Sequence, residues 1–308
     1  MALPTTSRVA TPPARPRVAD DSAPITVVAP RRSARQQLVE VWRYRELLLG
    51  LVRKELKVKY KNSALGFFWS MLNPAMYLVV FYVAFEIVLG SGIPYFAIWL
   101  LSGLLVWNLF STSMGGATGV VTGNASLVNK VWFPRTILPL SVVGANLVHF
   151  ALQGLVLLIA LAAFRYDVPW DYIWLIVPAL AVLVVFTAAV CIFLAAMNVY
   201  ARDTQHIVEL LVLAWFWMTP IVYAFELPAQ KLAAKGWPTW LLLLNPITPI
   251  VIAFQRGLHG GGPGLLPMDE NQLWYLRNLG IVGVASCLLL WGALTFFGRV
   301  EGNFAEEL

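Results

Sequence analysis

Charge is scarce in this sequence. Lys, Arg, Asp and Glu make up 12% of its 308 residues, while 59% are hydrophobic. A water-soluble domain carries roughly twice that charged fraction, so a soluble fold is excluded. Cysteine is nearly absent. Cys191 and Cys287 both lie inside apolar windows, as small core residues do, and imply no disulfide framework. The three histidines, His149, His206 and His259, have no Cys or carboxylate at metal-ligand spacing, so no metal centre is expected. There is no G-x-x-x-x-G-K-[ST]. The run Gly260-Gly261-Gly262-Pro263-Gly264 lacks the Lys and Ser/Thr that hold phosphate and Mg²⁺, which excludes ATP binding through a P-loop. No Asp-x-Asp pair or Ser/His/Asp set points to a transferase or hydrolase, although sites assembled only in space escape such a scan. Within the apolar windows Glu86 and Glu209 stand near the ends, whereas an ion relay needs charge near the midplane. Ion-coupled transport is therefore disfavoured. The first thirty residues have no apolar run of the secretory kind. Their Pro-, Ala- and Arg-rich composition reads as a disordered segment over 1–35.

What the sequence does have is a series of windows of about 20 apolar residues, each able to cross a bilayer core of ~30 Å. Six spans are expected: Phe67 to Leu89, Tyr95 to Met114, Ile137 to Phe164, Tyr172 to Met197, Ile207 to Phe225 and Leu276 to Phe297. The segment Glu226 to Tyr275 contains an apolar run, Trp240 to Phe254, that is short and broken by Pro246 and Pro249. It reads as a re-entrant or interfacial helical pair between spans five and six. The fold class is thus an all-α membrane protein, with a membrane domain over 64–300 and a tail over 301–308. Residues 1–63 hold 13 of the 22 Lys and Arg, and Lys130, Arg135, Arg202 and Arg299 fall on the same side. Arg165, Lys231, Lys235, Arg256 and Arg277 fall on the other. By the positive-inside rule both termini are cytoplasmic, in the plasma (inner) membrane.

Ahead of the first span, residues 36–63 follow a helical period. Leu38, Trp42, Leu49, Val52, Leu56 and Tyr60 share one face, and Arg43, Lys54, Lys57 and Lys61 the opposite one. This describes an amphipathic interfacial helix on an anionic leaflet. Arg53, Lys54, Lys57, Lys59, Tyr60 and Lys61 would meet an anionic headgroup at that depth, or would serve only as a topology anchor. Aromatics are plentiful at 13%, and some recur in register. Tyr77, Phe81 and Phe85 are spaced by four on the first span. Trp99 and Trp107 share a face of the second, and Trp215, Phe216, Trp217, Tyr223 and Phe225 crowd the fifth. Aromatic faces stack on sugar rings and tolerate sliding, so Tyr77, Phe81, Phe85, Trp99, Trp107, Trp215 and Tyr223 could line a glycan channel. Ordinary packing and interfacial belts are the alternative.

The run from Lys59 to Pro74, KYKNSALGFFWSMLNP, resembles the Y-x-x-S-x-L-G-x-x-W-x-x-L-x-P opening of ABC-2 type polysaccharide and teichoic-acid export permeases of the Wzm/TagG kind. Leu127 to Arg135, Tyr200 to Asp203, Met218 to Tyr223 and the acidic end Phe304 to Leu308 agree with it. The resemblance covers residues 38–308 and is closest in general look to actinobacterial exporters of lipid-linked galactan. It implies a homodimeric permease that is not itself an enzyme and holds no cofactor. ATP and Mg would belong to two copies of a separate ABC ATPase subunit. The partners implied are a polyprenyl-pyrophosphate-linked glycan and membrane lipids, with no nucleic acid. Asn129, Lys130, Phe133, Pro134, Arg135, Arg202 and Asp203 would couple to the ATPase. An exporter of another amphiphile (lipid or drug), a membrane polyprenyl-phosphate enzyme and a non-transporting scaffold remain open readings.

Overall fold

The computed structural model of the chain describes residues 33–61, 68–262, 264–267 and 271–307, and among these the regular elements are all helical. Residues 62–67, in the middle of the Lys59–Pro74 signature, lie outside the described residues, as does most of the 1–35 segment. The first helix, α1 (Ala34–Arg43), starts at Ser33 because of a capping box. Ser33 Oγ accepts from the Gln36 N–H at 3.3 Å, and Gln36 Oε1 accepts from the Ser33 N–H at 2.9 Å. The expected single helix over 36–63 is in fact two. Tyr44, at φ −95° and ψ 24°, separates α1 from α2 (Arg45–Tyr60). The break lets α1 lie on the last long helix while α2 lies on the third span. Ala34, Gln37, Val41, Tyr44, Leu48 and Leu51, at alternating steps of three and four, pack inward. The predicted stripe divides: Leu38, Trp42 and Leu49 stay exposed, as membrane-facing residues of an interfacial helix do, whereas Val52 and Leu56 are half-buried.

The first span is α3 (Phe68–Phe81), continued by a π-helical stretch at Tyr82–Val88. There follow α4 (Phe96–Thr118), the short α5 (Val120–Gly123) and α6 (Ala125–Lys130), and α7 (Ile137–Ala163). A single turn, α8 (Trp170–Ile173), leads into α9 (Ile176–Tyr200). Among the described residues four helices are long and apolar enough to cross a membrane: α4, α7, the α8–α9 pair and α13 (Gln272–Val300), which is introduced below.

The fifth span departs from expectation. Its helix, α10 (Thr204–Met218), stops seven residues before Phe225. At 1.5 Å per residue it is ~22 Å long, and Thr219-Pro220 ends it because a proline in the next turn would remove a backbone donor. Residues Thr219 to Val222 continue as buried, non-helical chain. Such backbone survives at membrane depth only where protein satisfies it. Two amides do so here. Gln255, fully buried, donates from Nε2 to the Pro220 and Ile221 carbonyls at 3.2 and 3.4 Å. Asn245 donates from Nδ2 to the Met218 carbonyl at 3.4 Å and to Thr219 Oγ1 at 2.9 Å, and accepts from Trp215 Nε1 at 2.7 Å.

The re-entrant reading of the next segment holds. It comprises α11 (Glu226–Ala234), a 3₁₀ turn at Thr239–Leu244 and α12 (Ile247–Leu258). Every residue of α12 is buried, with Pro246 at its N-terminal cap and Pro249 in its first turn, where a missing N–H costs nothing. The chain then runs through α13 to a 3₁₀ turn at Glu301–Asn303 and α14 (Phe304–Glu307).

Apolar side chains collect in two clusters. One centres on α4, α12 and the first half of α9. The other joins α2, the 117–143 stretch and the C-terminal ends of α9 and α13. In lipid there is little hydrophobic drive between helices, so close approach at small residues matters. At Gly144 of α7 an added Cβ would lie 2.7 Å from Val52 of α2. Gln37, buried, donates to the Leu294 carbonyl at 2.7 Å, and Tyr200 Oη donates to the Val300 carbonyl at 3.0 Å. Both ends of the described chain therefore lie at one end of the bundle. At the other end Gln272 Nε2 donates to the Asp171 carbonyl at 2.9 Å, and the Glu226 N–H to the Leu265 carbonyl at 3.4 Å. His259 Nε2 lies 2.6 Å from the Pro94 carbonyl there. The 90–94, 165–171 and 226–275 loops thus gather opposite the chain ends, as an even number of crossings requires.

Candidate functional site

The aromatic residues predicted on spans one and five meet in space. Tyr77 stacks on Phe81 at 6.1 Å between centroids, and Phe81 meets Phe85 at 5.9 Å. Phe216 of α10 stacks on Phe81 at 5.8 Å and meets Trp107 edge-on at 5.5 Å. Phe85 stacks on Phe96 at the start of α4. A continuous aromatic row follows, open at Tyr77 (44% exposed) and closing inward at Trp107 (6%). Phe216, absent from the sequence-derived set, is the joint between the two helices. Only its place in the crowded run 215–217 signals it. Trp99, fully buried, meets the His259 ring at 5.4 Å and is an interior residue of the helical bundle. Trp215 is committed to Asn245, and Tyr223 Oη donates to the Trp217 carbonyl at 2.9 Å. Offset and edge-on contacts of this kind hold the rings in fixed orientations.

The basic residues of α2 divide. Arg53 and Lys57 are exposed on the helix, and Lys61 is exposed at its C-terminal cap. Lys54 Nζ donates to Asn124 Oδ1 at 2.7 Å and ties α2 to the α5–α6 turn. Lys59 Nζ lies 3.4 Å from His149 Nε2 on α7, and burial there holds its pKa below the ordinary lysine value. The side chain of Tyr60 lies outside the described residues.

The predicted coupling residues share one surface at the end that carries the chain ends, but they do different things. Asn129, Lys130, Arg202 and Asp203 are exposed. Phe133 and Pro134 are buried beneath them. Arg135 is half-buried. Its guanidinium donates to the Glu301 carbonyl, its backbone N–H donates to Glu301 Oε1 at 3.2 Å, and its Cζ sits 5.9 Å from the Phe304 ring centre. Arg135 therefore fastens the C-terminal turn onto the loop, and Tyr200 flanks the same Phe304 ring at 6.2 Å. Val131 and Trp132, inside the expected Lys130 to Arg135 coupling stretch, are 53% and 65% exposed on this surface. Trp132 leans on Tyr44 at 6.2 Å, so the surface includes the bend between α1 and α2. A charged rim around two exposed apolar side chains suits a protein contact.

Comparison with known proteins agrees with this architecture. The family model described as ABC-2 type transporter matches residues 46–258. The chain is 35% identical over 269 residues to the O-antigen export system permease protein RfbA of Myxococcus xanthus, covering 87% of this chain and 98% of that protein. An RfbA of Klebsiella pneumoniae is 30% identical over 264 residues, with 85% and 95% covered. The polysialic acid transport protein KpsM of Escherichia coli is 21% identical over 209 residues, with 66% and 77% covered. With its helical bundle, its re-entrant α12 and these matches over most of its length, the chain belongs to the ABC-2 type transporter family and is a multi-pass membrane protein.

Proposed function

We propose that this chain is the membrane permease of an ATP-driven exporter that carries a polyprenyl-pyrophosphate-linked polysaccharide from the cytoplasmic to the outer face of the plasma membrane. It works as a homodimer with two copies of a separate ATPase subunit, which hold ATP and Mg. Both termini are cytoplasmic, following the distribution of Lys and Arg. The observation that carries the reading is the aromatic row Tyr77–Phe81–Phe216, in a chain that covers 98% of a relative named for O-antigen export. A glycan needs faces to stack on and few fixed hydrogen bonds if it is to slide. The row offers the first, and its inner end at Trp107 is closed in this conformation.

The anionic head of the lipid is met by Arg53, Lys57 and Lys61, whose side chains are exposed. Each basic group near an anionic surface contributes ~1 kcal/mol of attraction. Lys59, held against His149, positions α2 on α7. The exposed set Asn129, Lys130, Val131, Trp132, Arg202 and Asp203 contacts the ATPase. Exchanging Lys57 and Lys61 for Gln tests the headgroup role in a complex reconstituted with its ATPase. Orientation should be unchanged, and the concentration of lipid-linked glycan giving half-maximal ATPase stimulation should rise by about thirtyfold, the equivalent of ~2 kcal/mol for two basic groups. An unchanged half-maximal concentration would reduce these lysines to a topology anchor.

A further inference from the structure

At the end of the bundle opposite the chain ends, a cavity of about 870 Å³ opens between α11, the Thr239–Leu244 turn, the 264–267 stretch and the start of α13. Its size falls among ligand pockets, which span ~300–1,000 Å³. Its lining shares no residue with the aromatic row, and of the span-five aromatics only Phe225 reaches it. Two indoles line it: Trp240, 56% exposed, and the half-buried Trp274. Glu226, half-buried, and the exposed Gln230, Thr239 and Arg277 line it as well. Among the described residues none of these four side chains makes a hydrogen bond or ion pair within the protein. We propose that this cavity is a binding site for a neutral oligosaccharide.

The lining selects that chemistry. Indole faces cover the C–H faces of a sugar ring, while hydroxyl groups around its edge both donate and accept. Glu226 only accepts, Arg277 only donates, and Gln230 and Thr239 do both, so the set matches a polyol in both senses. One carboxylate and one guanidinium cancel, which gives the cavity no preference for an anion. A phosphate headgroup or acidic sugar would meet Glu226 at close quarters. An aromatic belt at the membrane interface would account for the two tryptophans, but not for a cavity that they line together with four uncommitted polar side chains. The choice of a saccharide among polyols, and the placing of this end outside the cell, rest on the export reading above. The site would then hold emerging glycan at the outer face.

The test uses the full chain in nanodiscs without any ATPase. It is titrated calorimetrically with neutral tetrasaccharides (galactan, mannan and glucan fragments) and with an acidic sialic acid tetramer. At least one neutral tetrasaccharide should bind and the acidic one should not. Trp240→Ala and Trp274→Ala should each weaken binding by about tenfold, since an aromatic contact contributes ~0.5–1.5 kcal/mol beyond its buried area. Trp240→Phe, which keeps a flat face at an exposed position, should bind as the parent does. No neutral binding at millimolar concentration, equal binding of the acidic tetramer, or an unaltered Trp240→Ala would overturn the site. Binding that persists in a chain unable to export glycan would overturn the export reading and leave the site standing. Loss of binding with export intact would do the reverse.

Discussion

Gln255 is, with Thr248 and Arg256, one of three polar side chains in a helix buried on all sides, and its replacement gives a graded expectation. Its Nε2 serves the carbonyls of Pro220 and Ile221, while its Oε1 is buried without a partner. Gln255→Leu keeps the approximate volume, removes both donations and also removes the unsatisfied oxygen. Hydrogen bonds between helices in membranes average ~0.6 kcal/mol, with a maximum near 1.7. Two lost bonds therefore cost about 1–3 kcal/mol, partly offset by relief of the orphan Oε1. Gln255→Glu keeps the shape but places acceptors against acceptors, so it cannot recover either bond without taking up a proton. The expected order of stability is parent, then Leu, then Glu. Leu should lie about 1–2 kcal/mol below the parent, which corresponds to a few degrees of Tm. Thermal unfolding in nanodiscs, followed by loss of monodisperse protein, measures it. A Leu variant as stable as the parent, or a Glu variant no worse than Leu, would show that these amide contacts do not hold the non-helical end of span five.

Three further outcomes follow from the geometry. Arg135→Gln should loosen the C-terminal turn and lower thermal stability by about 2–3 kcal/mol, from the loss of a charged hydrogen bond and a cation–ring contact. Arg202→Glu, at an exposed position, should leave stability unchanged while cutting stimulation of the partner ATPase, so the pair separates fastening from coupling in one unfolding and one ATPase assay. Gly144→Leu should push α2 off α7, because even a Cβ there would sit 2.7 Å from Val52; overpacking costs ~1–3 kcal/mol, read as faster proteolysis within 45–60. In a cysteine-free background, Ser91→Cys, Asp167→Cys and Lys235→Cys should react with a membrane-impermeant maleimide in intact cells and Asp203→Cys should not; labelling at Asp203 but not at Lys235 would refute the six-span topology.

The spans were legible because hydropathy over twenty residues is a local property, and the re-entrant segment because Pro246 and Pro249 interrupt a run too short to cross. The four-residue spacing of Tyr77, Phe81 and Phe85 correctly placed them on one face. Spacing alone does not say which way a face points. Trp99 and Trp107, eight residues apart, stand about 80° apart around α4, and both are buried because that helix is enclosed nearly all round. The end of α10 was hidden for a related reason. Pro220 is a stop signal, but an apolar run on both sides of it reads as one span, and the compensating Gln255 is 35 positions away. Likewise Arg135 looks like a surface cation by type, and its partner Glu301 is 166 positions off. The bend at Tyr44 carries no Gly or Pro. It exists because two halves of one amphipathic stretch have different helices to pack against.

The most direct test of the account is export itself. Inside-out vesicles containing this chain and its ATPase are given lipid-linked glycan on the outside, which is the cytoplasmic face, with the glycan accessible to an added glycosidase. With ATP, a growing fraction should become protected from the enzyme until detergent is added, and no protection should develop with ADP or without this chain. Glycan that stays fully digestible under ATP, while the complex still hydrolyses ATP and moves another amphiphile, would contradict the claim that polysaccharide is its cargo.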